Sequence, residues 1–521
     1  MLLVCLCCAC VSPEDARSGA DRAAYALLEQ RREELFGAAG EFRIDPPTDS
    51  LRQRLVREEI SSLPGLNLVD CLEISAENSR DYQSRKEQLY SSALALTLEQ
   101  WNYGILFDFG ADASRSGSEG SDQQNDSVDF GLGMNKLLGS GANVVASVGR
   151  SLFRVVNDGD GWTSLREASF SITQPLLGGS AREVIREPLT QAERDLVYQV
   201  RSFERYRSTF ALDVAARYFQ LIETMDTVGN EEANFEGLIL LSLRNHALAE
   251  AGQLSDIEAD EARQDELESE NRLLDLRESL DRQLDNFKLY LGLPVEIELG
   301  LVRSSMDESQ QAEQSLLDLD EEHAFAIAID NRLDYLNTAD AVLDAERKVR
   351  VAEEALKLGL DLDVSAVNTG ANRTSWSAGF SFDLPIDRIP ERNAYRNSLI
   401  ALEVARRAQQ EMSDTLRADL RNEMRQLGNT RISYQIQLNA VELARQRVES
   451  TELSLSAGRS DTRAALDARR SLVSAQNSAT SALVDHLLAR LSLYNQLELL
   501  RIGPQGFELE VSALTGTESQ G

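Results

Sequence analysis

The chain has 521 residues and carries 86 Asp and Glu against 53 Lys and Arg, which gives a formal net charge of −33. Such an acidic surface repels phosphates and excludes a nucleic-acid partner. No run of about 18 apolar residues occurs, so helices are not expected to cross a membrane, and any crossing would have to use strands.

Four of the five Cys residues lie in the opening stretch MLLVCLCCAC, and Cys71 is the remaining one. This clustering does not suit a disulfide framework. The apolar stretch 2–9 precedes polar residues, as in the last part of a secretory signal. We therefore interpret 1–10 as a leader, and Ala9-Cys10 is similar to the junction at which bacterial lipoproteins are lipidated, here at Cys10. The alternative is a leader whose Cys residues are incidental.

Beyond the leader, the chain is built from two versions of one plan. The segment SFSITQPLLGGSAREV at 169–184 recurs as GFSFDLPIDRIPERNA at 379–394, and AGQLSDIEADEA at 251–262 recurs as AGRSDTRAALDA at 457–468. NSRDY at 78–82 likewise recurs as NRLDY at 331–335. We predict the following order: a helical and irregular segment at 11–66, a first repeat at 67–299, a linker or equatorial segment at 300–320, a second repeat at 321–502 and a flexible tail at 503–521.

Each repeat is predicted to contain a helix, a pair of strands and a long helical hairpin. The strands are 102–114 and 166–175 in the first repeat and 360–367 and 375–384 in the second. Each alternates apolar residues with small polar residues, which indicates one apolar and one polar face. Pro385 marks the point where the chain leaves the last strand. The long hairpins are predicted at 181–292 and 389–500.

The first repeat carries an insertion of 43 residues, because Tyr82 and Pro175 are 93 positions apart whereas Tyr335 and Pro385 are 50 apart. The extra residues fall within 115–160, which holds two weaker strand candidates near 127–134 and 143–156. This insertion either widens the strand layer or forms an external hairpin. We expect the external hairpin, because the second repeat does without it.

The hairpin helices carry apolar residues at seven-residue spacing, which predicts coiled-coil packing. The first hairpin has Leu273, Leu280 and Phe287 in this register, and the second has Tyr434, Val441, Val448 and Leu455. Each hairpin turns at a glycine, Gly252 or Gly458, which suits the end of a helix. Ser255 and Ser460 follow closely and are candidate N-caps.

The composition of the strand faces indicates their environment. The apolar faces carry Phe and Trp, the polar faces carry hydroxyls and carboxylates, and lengths of about 8–12 residues suit a tilted crossing of a bilayer. Trp101 and Trp376 near strand ends are candidate membrane-interface anchors. In the alternative, a soluble sandwich, the apolar faces would pack inward.

Four strands cannot close a barrel, so the chain is expected to oligomerise. Two copies would supply eight strands and a nearly filled interior, whereas three would supply twelve and leave room for water. This count favours a trimer in which the long helices extend the same conduit.

Several segments together resemble the TolC-like outer membrane efflux protein family over about 67–500. They are NLVDCLEISAENSRDYQ, TQPLLGG, FDLPIDR, LYLGLP and the two hairpins that begin with Ala-Gly. The resemblance implies a mainly α fold with β: long α-helical hairpins form a trimeric helical barrel, and about four transmembrane β-strands per chain complete a shared β-barrel. It also implies an outer membrane exit channel that docks onto a periplasmic adaptor (membrane fusion) protein and an inner membrane RND or ABC pump.

The resemblance implies site residues as well, at the periplasmic entrance of such a channel. The family pattern has acidic residues six and nine positions after the hairpin glycine, which matches Glu258, Glu261 and Asp467, whereas Ala464 departs from it. The tips that meet the adaptor correspond to Gly252, Ser255, Gly458 and Ser460. The alternative for each carboxylate is a solvated helix face.

No catalytic or cofactor-binding pattern stands out in the sequence. His246, His323 and His486 are isolated within helical patterns, and no Cys/His set has metal-ligand spacing. We therefore predict no enzyme, no cofactor and no metal site. The competing function is a lipid-anchored periplasmic coiled-coil scaffold or adaptor with a soluble β domain.

Overall fold

A computed structural model describes most of the chain. The described residues are 11–37, 42–45, 50–57, 60, 62–117, 124–156, 161–178, 182–302, 319–370, 373–383, 387–503 and 506–509. The predicted lipidation site Cys10, the exit point Pro385, most of the linker and the end of the tail lie outside these residues.

Ten helices and ten strands are present in the described part of the chain. The helices are α1 (Pro13–Phe36), α2 (Leu51–Val56), α3 (Leu68–Asn78), α4 (Arg80–Asn102), α5 (Arg182–Glu250), α6 (Asp256–Tyr290), α7 (Glu321–Asn331), α8 (Leu333–Glu354), α9 (Ile389–Ser456) and α10 (Thr462–Gln496). The strands are β1 (Ser62–Leu66), β2 (Ile105–Gly117), β3 (Gln124–Leu137), β4 (Asn143–Val155), β5 (Thr163–Leu177), β6 (Glu298–Leu301), β7 (Gly359–Asn368), β8 (Thr374–Asp383), β9 (Leu500–Gly503) and β10 (Gly506–Leu509).

The chain divides into two compact units, and each takes segments from both repeats. The strand unit comprises Met1–Phe42, Gln88–Arg201 and Asn337–Glu411. The hairpin unit comprises Arg43–Glu87, Ser202–Leu336 and Met412–Gly521. The units are therefore not the two repeats.

The strand unit is built on a six-stranded antiparallel sheet with the order β2-β3-β4-β5-β7-β8. The four strands predicted from the alternating pattern are present as β2, β5, β7 and β8. The prediction of about four strands per chain is nevertheless wrong in number, because β3 and β4 lie inside the same sheet. β2 and β5 are consequently not neighbours, as β3 and β4 separate them.

The insertion is therefore not an external hairpin, and that expectation is wrong. β3 pairs with β2 from Ile105–Lys136 to Gly117–Gln124, and β4 continues the ladder to β5. The reason is the phase of the side chains: β3 and β4 repeat the apolar and polar alternation of their neighbours, so they extend both faces of the sheet.

The long helices have the lengths predicted from the sequence. α5 has 69 residues and α9 has 68, each about 100 Å at about 1.5 Å per residue. Pro188 is accommodated in the second turn of α5, where it removes a single helical N–H. In the predicted heptad of α6, Leu273 and Phe287 are buried, and the heptad residues of α9 lie along its less exposed stripe.

The two repeats share a local device at the helix break before the strands. The side-chain amide of Asn78 donates to the Ile74 carbonyl at 2.9 Å, and Asn331 donates to the Ile327 carbonyl at 3.0 Å. Each Asn is the last residue of its helix, and the next residue has an extended backbone. A duplicated break of this kind explains why the Asn-x-x-Asp-Tyr pattern recurs.

The hairpin unit has its largest apolar core around α5 and α6. Tyr218, Phe219, Phe287 and Leu291 are fully or almost fully buried there. Two small sheets lie in the same unit: β1 pairs in parallel with β6, and β9 pairs antiparallel with β10. β10 falls within the predicted flexible tail, so this part of the tail forms a strand.

No helix in the described part of the chain combines the length and the apolar character that a membrane crossing requires.

Cys71 is predicted to be chemically inert in the folded protein. It is fully buried in the core of the hairpin unit, and burial raises the pKa of its thiol to about 12. Because the thiolate is the reactive form, alkylation by iodoacetamide near pH 8 should be negligible in native protein and rapid in urea. Mass spectrometry of the peptide that contains Cys71 measures this. Equal labelling in both conditions would contradict the buried position.

Candidate functional site

One face of the six-stranded sheet is apolar and exposed. Paired residues in the ladder lie on the same face, so each row can be followed across all six strands. One row contains Phe107, Met134, Ala146, Phe170, Ala366 and Trp376. Phe107 is 69% exposed, Phe380 65% and Leu132 54%. A soluble monomer rarely leaves such a continuous apolar face uncovered.

The opposite face is polar and is bonded from strand to strand. The side-chain oxygens of Ser114 and Ser127 lie 2.8 Å apart, and those of Ser147 and Ser169 lie 2.6 Å apart. Asp363 accepts hydrogen bonds from Thr173 at 2.8 Å and from Ser381 at 3.0 Å. Small hydroxyl and carboxylate groups thus cover this face and satisfy one another across the strands.

The charge on the polar face has one sign. By strand alternation its ionisable residues are Asp108, Asp112, Asp129, Glu167, Asp361, Asp363 and Asp383. No Lys or Arg takes a position on this face within the described strands. The arginines of the sheet lie instead on the apolar face. Arg150 and Arg166 pair in the row of Phe130, and Arg115 and Arg154 lie nearer the strand ends at the turns after β2 and β4. Phe153 and Leu165 interrupt the polar face at the same end.

Both predicted interface aromatics are exposed. Trp101 lies in the last turn of α4, just before β2, and Trp376 lies near the start of β8 on the apolar face, 78% exposed. A third aromatic was missed by the sequence reasoning. Trp162 precedes β5 and packs beneath the Arg154 guanidinium, 4.9 Å from the ring centroid. The sequence did offer a signal for this residue, because Gly161-Trp162 lies between the strand candidate near 143–156 and the predicted strand at 166–175.

The hairpin tips, defined here as 251–255 and 457–461, have the same backbone geometry. Gly252 has a φ of +71° and Gly458 a φ of +68°, and space is open around both Cα atoms. The N–H after each glycine reaches back to the helix: Gln253 donates to Leu248 at 2.8 Å, and Arg459 donates to Ser454 at 2.8 Å. A residue in the left-handed region ends each helix, as predicted.

The two tips differ in how the next helix begins. Ser255 caps α6 in a reciprocal arrangement: its hydroxyl oxygen accepts from the Glu258 N–H, and the Glu258 carboxylate accepts from the Ser255 N–H, both at 3.3 Å. The prediction that Ser460 caps α10 is wrong. Asp461 is the cap, and its carboxylate accepts from the Ala464 N–H at 2.9 Å. The helix begins at Thr462, one residue too late for Ser460 to reach its free N–H groups.

The predicted entrance carboxylates have basic neighbours. The Glu261 carboxylate is 3.9 Å from Arg463, and the Asp467 carboxylate is 3.8 Å from Arg470. Arg470 also forms an ion pair with Asp265 of α6, a residue that the sequence reasoning did not single out. The structure therefore brings Glu261 and Asp467 into a mixed-charge surface that links α6 to α10.

Polar side chains are also buried between the two hairpins. Asp265 is only 7% exposed, and burial raises the pKa of its carboxyl, partly offset by the positive charge of Arg470. The buried Asn245 amide donates to the Thr462 hydroxyl at 2.9 Å, which joins α5 to α10. A cavity of about 540 Å³ lies nearby, with Glu231, Arg272 and Arg470 in its lining.

The histidines do not form a metal site in the described structure. His246 and His323 are exposed beside acidic residues of their own helices, and His486 is buried with Nδ1 3.4 Å from Thr430. No group of three His, Cys, Asp or Glu residues among the described residues is arranged to hold a metal ion.

The fold is similar to those of several solved bacterial outer membrane channels. VceC from Vibrio cholerae is 13% identical with a TM-score of 0.61, over 82% of this chain and 95% of VceC. CmeC from Campylobacter jejuni is 12% identical with a TM-score of 0.61, over 92% of each chain. This chain has the outer membrane channel fold. MtrE from Neisseria gonorrhoeae, at 15% identity and a TM-score of 0.58, aligns over 82% of this chain and 88% of its own.

The mainly α fold with β that the sequence resemblance implied is thereby confirmed. No family model matches the sequence. No curated protein matches it either. At these identities the likeness is one of fold, so function has to be argued from the residues of this chain.

The glycine at the second tip is predicted to be needed for its backbone. Gly458→Ala places a Cβ in the left-handed region and should reduce local stability by about 1 kcal/mol. Gly428→Ala, in the middle of α9 with open space around it, should instead stabilise by a similar amount. Hydrogen exchange of the peptides around each position measures the sign of each stability change. The same sign at both positions would refute the tip geometry.

The pair between Arg470 and Asp265 is predicted to hold the two hairpins together. Arg470→Ala leaves the buried Asp265 carboxylate without its counter-charge and should lower the local opening free energy by about 2 kcal/mol, so that amides of α6 and α10 exchange about 30 times faster. Arg463→Ala is the matched control, since Arg463 is exposed and 3.9 Å from its partner. Equal effects of the two variants would show that the buried pair is unimportant.

Proposed function

We propose that this protein is the outer membrane exit channel of a tripartite efflux or type I secretion system. It acts as a passive, trimeric conduit that crosses the outer membrane with its strands and the periplasm with its long helices. One observation carries the proposal: the sheet has an exposed apolar face and an opposite face of hydroxyls and carboxylates. Such a sheet suits a wall with lipid on one side and water on the other.

The height of the apolar band supports this assignment. On β3 the charged residues of the apolar face are Asp126 and Lys136, ten positions apart, and uncharged residues lie between them. At about 3.3 Å per residue and a tilt of about 40°, this separation spans about 25 Å along a barrel axis. On β3 that is the height of the apolar band of outer membrane strands, whereas Arg150 and Arg166, in the row of Phe130, shorten the uncharged part on β4 and β5. Trp101 and Trp376 are then interface anchors.

The trimer rests on the resemblance and the fold rather than on the number of strands. Twelve strands required three copies when four strands per chain were expected, but two copies of a six-stranded sheet already supply twelve. Both edges of the sheet, β2 and β8, lack a neighbour within the described chain. Ile436 and Leu443 on α9 and Leu240 on α5 are exposed, which supports association along the helices as well.

The hairpin tips are the proposed contacts with the periplasmic adaptor and hence with an inner membrane RND or ABC pump. Gly252, Ser255 and Gly458 are exposed, Ser460 is half-buried, and the four lie in two tips of the same backbone geometry. Glu258, Glu261 and Asp467 lie just beyond them, at the proposed periplasmic entrance. Since Glu258 is engaged in the cap of α6 and the other two face arginines, the entrance is expected to be less acidic than the resemblance alone implies.

The proposal is tested by conduction through a planar lipid bilayer. The full chain should insert and form ion-conducting channels, because its sheet supplies a lipid-facing and a water-facing surface. Leu132→Arg places a charge in the apolar band and should reduce insertion strongly, at a cost of about 2–4 kcal/mol per chain. Gly131→Arg is the matched control on the opposite face, where space is open. The Gly131→Arg variant should insert normally, and its channel should have a lower cation conductance.

The alternative, a periplasmic scaffold with a soluble β domain, makes a different prediction. In that protein both arginines would face water or a protein partner, and neither variant would change membrane insertion selectively. A soluble chain that never conducts, with Leu132→Arg and Gly131→Arg behaving alike, would overturn the channel proposal.

A further inference from the structure

We propose that the inserted strands β3 and β4 are part of the pore wall itself, so that the trimeric channel has eighteen strands and a bore wide enough for bulky solutes. This inference rests on the proposed channel function. It goes beyond that function because it concerns 43 residues that only the first repeat contains, and because it sets the size class of the exported material.

The first support is the continuous hydrogen-bonded ladder. β3 follows β2 along its whole length, and β4 follows β3 from Leu137–Asn143 to Asn125–Val155, with no bulge in either pairing. β4 then runs beside β5 from Asn143–Thr173 to Phe153–Thr163. A hairpin folded over the outside of a barrel would leave β2 paired with β5. Here that pairing does not occur.

The second support is the phase of the side chains on the inserted strands. Leu132 and Val148 are opposite one another on the apolar face and are 54% and 63% exposed. Gly133 and Ser147 are opposite one another on the polar face. A one-residue slip would exchange these two sets, so the register is specified by the same two environments as in the other four strands.

The third support is that copies of a six-stranded sheet can still join into a closed ring. All neighbours in the sheet are antiparallel, so in an even set the first strand, β2, and the last strand, β8, run in opposite directions. β8 of one copy can therefore continue the antiparallel ladder onto β2 of the next. The occupant of each open edge is a second copy of this chain, and three such head-to-tail contacts close the wall.

The consequence is a wider opening through the membrane. Barrel diameter grows roughly linearly with strand number, so eighteen strands give a bore about 1.5 times as wide as twelve, and barrels of about 16–18 strands leave an aqueous channel. The inserted strands also carry small residues on the middle of the polar face, where Gly131 and Gly133 of β3 lie opposite Gly149 and Ser147 of β4. We therefore expect the membrane part of the conduit to admit larger solutes than a twelve-stranded wall would admit.

The test removes the insertion and measures the bore. Ile105, Lys136, Val144 and Ile172 form one row, so deleting 118–160 brings β2 and β5 into register across a loop of Ser116, Gly117 and Gly161. Polyethylene glycols of graded size are added to the strand side of a planar bilayer. The full chain should admit polymers about 1.5 times as large in diameter as those admitted by the deletion variant.

A second measurement covers the case in which the deletion variant does not fold. In the full chain, the cysteine pairs S114C/S127C and S147C/S169C should each form a disulfide within one chain, as should the control pair S365C/S377C, whose oxygens are 2.8 Å apart. Native mass spectrometry of the channel in detergent should give three copies. If both cross-links form and the channel contains three copies, the wall has eighteen strands.

The outcomes separate this inference from the function on which it rests. A full chain that never conducts refutes the channel itself. A full chain that conducts with the same polymer cut-off as the deletion variant leaves the channel standing and overturns the wider wall. Failure of the S114C/S127C or S147C/S169C cross-link while the control forms, or a count of two copies, also overturns it.

Discussion

The alternation of apolar and polar side chains along six paired strands is the constraint on which the rest of this structure depends. Each strand places successive residues on opposite faces, so one register satisfies both faces at once and any slip violates both. The six strands obey the same phase although they come from two repeats and an insertion. The described part of the chain leaves the apolar face exposed, and the proposed membrane contact provides its covering.

Hydrogen bonding sets the second requirement. The outer strands β2 and β8 carry backbone groups with no partner in the sheet, and in a lipid environment such groups are costly to leave unpaired. In the proposed trimer, copies of the same chain supply the missing partners without any new type of contact, so symmetric assembly follows from the open edges of the sheet.

The helical hairpins solve a different problem with the same duplicated plan. Each hairpin turns at a glycine whose backbone lies in the left-handed region and whose surroundings are open. The two tips therefore match and lie at the surface. Behind the tips, the buried pair of Asn245 and Thr462 and the ion pair of the buried Asp265 with the exposed Arg470 join one hairpin to the other. Buried polar contacts of this kind are worth little in net free energy, but they strongly penalise a wrong alignment of the helices.

The sequence by itself determined the elements whose signal is local. Period-two alternation specified β2, β5, β7 and β8, heptad spacing specified the long helices, and the glycines at 252 and 458 specified the tips. Only the tertiary structure decided which strands are neighbours, because β3 and β4 have a weak pattern and could equally have paired with each other alone. It also decided that Asp461 rather than Ser460 caps α10, and that Arg470 reaches Asp265, 205 residues away. Pairing partners and ion pairs of this kind depend on long-range contacts, and a single sequence carries no local mark of them.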